Sequence, residues 1–319
     1  MSTYVYDNPA MHSGRRAKGL TLLAAYVALY AATLYAMVRL GRFDASDALG
    51  VFAVLGVGFS LAAWLLTIGV TPLPYQVRRP QRETVTLLVY LVPLAVFIAY
   101  GFSAIHRSAP GEPADSLAIL VAKLAVFVVI PAWLMMAQFG YKIGELAPVS
   151  TKTSHMLVFI GMSLVLVVFQ SVAGRGLRDI TDAHVPGEKL LLGLPIVFLW
   201  LVLEVGVVEE FFFRVLVQSR LSAALRSELG GIVVMSLIFG LVHAPGLYLR
   251  TGATQEGLAP HPSLPMAVGY SIVITSVAGF FLGVLWARTR NFLVLVLVHA
   301  ATDLLPNTLP TLRAFHILR

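Results

Sequence analysis

Polar and charged positions are sparse along this chain, and they divide it into long apolar runs. The runs occupy 20–40, 48–70, 84–105, 116–139, 154–173, 190–217, 230–249, 266–287 and 292–306. A helix needs about 20 largely apolar residues to cross a hydrocarbon layer ~30 Å thick, and all but the last run reach that length. The pattern predicts eight or nine spans, with 292–306 short and half-inserted. Every backbone amide in lipid must be bonded within the protein, and long apolar runs broken by charges suit helices rather than barrel strands. The predicted fold class is an all-α, polytopic transmembrane helix bundle with no soluble domain.

The segments between the runs refine this division. Residues 1–19 form a polar tail containing Arg15, Arg16 and Lys18. The run from Leu20 to Leu40 exceeds the ~7–15 residues of a signal-peptide core, so it reads as a retained span and the basic residues as its topology-setting flank. The stretches GRGLRDITDAHVPGEK (174–189) and RTGATQEGLAPHPSLP (250–265) are polar and rich in Gly or Pro, hence loops. The second reads as a plain connection, with a lid as the lesser alternative. Residues 307–319 read as a carboxy-terminal tail.

Composition agrees with the pattern. Of 319 residues, 58% are hydrophobic and 12% charged, and the mean hydropathy is +0.84, which is the profile of an integral membrane protein. The absence of cysteine excludes disulfides, thiolate metal sites and a Cys nucleophile. A net charge of +7 comes from short basic loops at the lipid surface rather than from a nucleic-acid patch, since no basic run is long enough. With nine spans, the loops on the side of the amino terminus carry twelve Lys/Arg and the opposite side nine, which favours a cytoplasmic amino terminus. The expected location is a bacterial inner membrane.

Ionisable residues inside the runs point to chemistry, because inserting each charge costs roughly 2.5–3.5 kcal/mol. Lys123 lies near a span end and is expected to snorkel to the headgroups. Gln138 and Gln170 are the other polar residues noted in the early spans. The later spans contain Glu204, Glu209, Glu210, Arg214, His243, His299 and Asp303. Positions four apart share a helix face, so Glu210 pairs with Arg214, and His299 with Asp303. Glu209 is turned ~100° from Glu210 and stays free. A carboxylate with two histidines can activate water and hold an oxyanion, or bind a metal such as zinc. HExxH, GxSxG and Cys motifs are all absent, so hydrolysis through a covalent intermediate has little support.

Three motifs in order, Glu209-Glu210-x-x-x-Arg214, Phe239-x-x-x-His243 and His299-x-x-x-Asp303, resemble those of the CPBP (Abi) family of intramembrane proteases. That family includes CAAX prenyl endopeptidases and bacteriocin-processing or immunity proteins. The resemblance covers 190–306, whereas 20–173 carries no motif. It implies a glutamate-type endopeptidase, with Glu209 as the base that activates water and His243 assisting. Glu210 with Arg214 would shape the site, while His299 and the residue at 303 hold the oxyanion. The implied substrate is a membrane-associated or lipidated peptide in the bilayer, cut near its carboxy terminus.

Family members often have Asn where this chain has Asp303. An ionised carboxylate only accepts hydrogen bonds. Asp303 must therefore be protonated, orient His299 by accepting its ring N–H, or bind a cation. The last option would make Glu209, His243, His299 and Asp303 zinc ligands. The metal-free route without a cofactor is preferred. A non-catalytic scaffold or immunity protein is the alternative, and a proton-coupled transporter ranks third.

Overall fold

The computed structural model describes residues 12–40, 43–249 and 258–318. The amino-terminal stretch 1–11 and positions 250–257, which hold half of the loop weighed as a lid, lie outside the described residues. Among the described residues, nine helices are long and apolar enough to cross a membrane. They are α1 (Arg16–Arg39), α2 (Ala45–Leu66), α3 (Pro80–Ser108), α4 (Ala114–Phe139), α5 (Thr153–Ala173), α6 (Gly187–Leu225), α7 (Glu228–Leu249), α8 (Leu264–Thr289) and α9 (Phe292–Ala314). The described residues contain no strand.

The outward faces are apolar, as lipid requires. On α3, Val85, Val89, Val92 and Val96 are all more than half exposed, and their spacing of three to four residues puts them on one stripe. Lipid tails are as apolar as these side chains, so close packing rather than hydrophobicity must drive helix association. Small residues permit it. A Cβ on Gly206 of α6 would stand 2.7 Å from the carbonyl oxygen of Val296 on α9, so main chain meets main chain there. Gly240 of α7 approaches the backbone of α8 at Ser271 and Ser276 in the same way.

Four expectations are corrected. The helix that contains α1 begins at His12, so part of the predicted polar tail is helical. The stretch expected to be a loop at 174–189 contains a short helix, Gly176–Asp182. The sixth span does not end at 217 but runs 39 residues to Leu225. That extension takes in Arg220, counted as a loop cation, which is buried inside the bundle. Its Nε donates to Glu83 Oε2 at 3.0 Å, and Tyr141 Oη donates to the same oxygen at 2.8 Å. The other oxygen, Oε1, takes the backbone N–H of Arg79 at 2.6 Å. Neutralised in this way, the arginine does not need to reach the surface.

The fourth correction concerns α9, which is a full helix of 23 residues although Pro306 and Pro310 lie inside it. Proline lacks the N–H that would bond the carbonyl four residues earlier, so Pro306 orphans the carbonyl of Thr302. Gln170 of α5 supplies the missing donor, its Nε2 lying 2.8 Å from Thr302 O and 3.2 Å from Ala301 O. The polar residue in the fifth span thus completes the helix that carries His299 and Asp303.

Candidate functional site

Between 202 and 218, α6 departs from α-helical winding. Val202–Val207 and Glu210–Gln218 are π-helical, with i→i+5 bonding, as are stretches of α2, α3, α4 and α8. Glu209 sits at the junction and is partly exposed, whereas Glu210 is fully buried. The two adjacent carboxylates therefore occupy different environments.

Glu209 faces a cavity of about 440 Å³, and His243 and Asp303 line the same cavity. Glu210, Arg214 and His299 form a buried layer behind it. His299 Nδ1 lies 2.6 Å from Glu210 Oε1. A carboxylate accepts, so the ring donates from Nδ1. On the other side of the ring, Nε2 is 3.8 Å from Asp303 Oδ2, too far for a hydrogen bond. The orienting contact considered for Asp303 is thus made by Glu210 instead.

The predicted Glu210–Arg214 pair is present, with Nε 3.6 Å from Oε2. At that distance the two charges attract without sharing a hydrogen bond. None of the three guanidinium nitrogens has a hydrogen-bond partner among the described residues. Arg214 instead lies over the ring of Phe239, 4.5 Å from its centroid, where the aromatic face attracts a cation. Glu210 is therefore shared between Arg214 and His299, and links α6 to α9.

Phe239 has a second task. Its carbonyl oxygen lies 2.7 Å from His243 Nδ1, and a carbonyl only accepts. Nδ1 must carry the hydrogen, which leaves the Nε2 of a neutral ring with its lone pair free. The Phe239-x-x-x-His243 spacing thus fixes a tautomer and supports a buried arginine at once.

Lys123 does not snorkel to the headgroups. It pairs with Glu204 of α6, and both residues line the cavity. Sequence reasoning gave neither a place in the site. Their charges were visible, but nothing local shows that positions 81 apart meet. Ile98 and Phe102 of α3 and Phe127 of α4 complete that wall. From the loop predicted at 250–265, Leu258 and Ala259 line the cavity, and Leu258 is buried.

The zinc alternative needs its ligands gathered around a point. Among the described residues no three His, Asp or Glu side chains are grouped so that they could hold a metal ion.

Residues 191–305 match the family model of the Rce1-like type II CAAX prenyl endopeptidases. This Rce1-like segment is consistent with the CPBP resemblance and contains every motif residue from Glu209 to Asp303. It supports a CAAX-type intramembrane endopeptidase, a peptide hydrolase. With nine membrane-length helices around it, the chain is an integral, multi-pass membrane protein. Such a protease suits a membrane-associated peptide substrate. No curated protein and no solved structure matches the chain.

Proposed function

We propose that this chain is a glutamate-type intramembrane endopeptidase that cuts near the carboxy terminus of a membrane-associated substrate without a metal. The observation that carries the reading is that Glu209 and His243 line the same cavity, the histidine having its Nδ1 committed to Phe239 O. Glu209 takes a proton from water, and the free Nε2 of His243 orients that water by accepting its other hydrogen. The oxygen attacks the peptide carbonyl carbon as the carbonyl π electrons move to its oxygen. When the C–N bond breaks, Glu209 returns the proton to the leaving amine, so one water is consumed and two termini form.

The oxyanion falls to His299. Glu210 holds its Nδ1, so a protonated ring presents Nε2–H on the side of Asp303. Because Nε2 has no hydrogen-bonded partner among the described residues, donation to the oxyanion displaces none of their contacts. Preorganised donors of this kind are worth roughly 10²–10³ in rate.

The test compares protein termini in membranes of cells carrying the native chain or Glu209→Gln at equal abundance. New termini that vanish in the variant are expected. Identical termini, with the variant folded, would overturn the enzyme and favour the scaffold or immunity reading.

A further inference from the structure

Lys123 is the one Lys or Arg side chain among the described residues that line the cavity, and it comes from α4, outside the Rce1-like segment. A membrane lysine ordinarily extends along lipid to the headgroups. This one turns inward to Glu204, and both side chains keep about a fifth of their surface open, at 21% and 20%. An ammonium has three donors, and one of them engages Glu204. The acidic side chains that line the cavity are Glu204, Glu209 and Asp303. An anionic ligand group would be repelled by them and drawn to Lys123 alone. A site built to take a neutral or cationic ligand would have no use for a lysine that costs roughly 2.5–3.5 kcal/mol to insert.

We propose that Lys123, held by Glu204, binds the free carboxy-terminal carboxylate of the peptide substrate and thereby sets which bond reaches Glu209. A peptide main chain carries one negative charge of its own, at that end. Anchoring it beside the catalytic pair would measure the cleavage position from the terminus. Specificity for a free end would thus lie in a helix without a family motif. The inference rests on the protease reading above.

The experiment uses the full-length protein in lipid nanodiscs and two peptides of the cleaved terminus, identical except for a carboxylate or a carboxamide end. The native protein is expected to favour the carboxylate in kcat/KM by roughly 10- to 100-fold, the range for a hydrogen bond to a charged group. Lys123→Gln should erase that preference through KM, and Lys123→Arg should keep most of it. The double variant Lys123→Gln, Glu204→Gln leaves no unpaired charge behind and should also lose the preference. Equal rates for both peptides with the native protein, or a preference that survives in the Gln variants, would overturn the proposal. Cleavage of either peptide by Glu209→Gln at the native rate would instead overturn the underlying enzyme mechanism.

Discussion

Glu210 touches His299 through one oxygen, at 2.6 Å, and faces Arg214 with the other, at 3.6 Å. All three residues are buried, and among the described residues this carboxylate is the ion-pair partner of a guanidinium that has no hydrogen-bond partner there. Removing one member of such a pair leaves the other charge uncompensated and costs about 3–5 kcal/mol. Glu210→Ala should therefore unfold in detergent well below the native midpoint, whereas a Glu210→Gln, Arg214→Met double variant should recover most of that loss. Both should lack activity, since neither orients His299 with a carboxylate. Thermal melts and peptide cleavage on the same samples separate the two effects.

Gln170 and Pro306 are expected to be coupled. Gln170→Leu leaves the Thr302 carbonyl without its donor from α5 and should cost about 1–3 kcal/mol. Pro306→Ala restores the N–H of the helix itself, so in that background Gln170→Leu should cost much less. A double-mutant cycle on chemical denaturation reads the difference, and strictly additive losses would refute the coupling.

Metal removal distinguishes the routes to hydrolysis. If Glu209 works without a metal, EDTA should leave cleavage intact, and Asp303→Asn should retain it because an amide can donate to the oxyanion. Loss on chelation, restored by added zinc, would return Glu209, His243, His299 and Asp303 to the role of ligands.

At the membrane surface, the backbone N–H of Lys142 and the Arg78 guanidinium hold the Glu145 carboxyl below the usual carboxylate range. A depressed value in the folded state means that the unfolded chain binds the proton more readily. The contribution of this contact is therefore complete above the ordinary glutamate pKa and disappears as pH falls through the lower folded value. Glu145→Gln should flatten that part of the acid limb of a stability–pH curve, while the curve near neutrality keeps its shape.

Much of this architecture was legible in the chain. Apolar runs marked eight of the nine spans found among the described residues and the ninth as a short, half-inserted one, and i,i+4 spacing identified the Glu210–Arg214 pair. Other features depended on partners that are distant in sequence. Pro306 and Pro310 argue locally for a helix end, and only Gln170, on another helix, cancels the first. Arg220 resembles a loop cation until Glu83 and Tyr141 are seen around it. Lys123 and Glu204 were each visible as a charge in lipid, but helical periodicity relates residues within one span and says nothing about pairs between spans. For the same reason, the contact of His299 with Glu210 could not be read from the spacing to Asp303.

The cavity has two origins. The groups proposed to act on water and on the carbonyl lie on α6, α7 and α9, where the bare backbone at Gly206 fixes the separation of α6 from α9. The facing wall of Ile98, Phe102, Lys123 and Phe127 belongs to α3 and α4, which the family motifs do not constrain. Reactivity and recognition can then change independently. A chimaera that keeps 190–306 and exchanges α3 and α4 should still hydrolyse peptides, but at a different position and in a different set of membrane peptides.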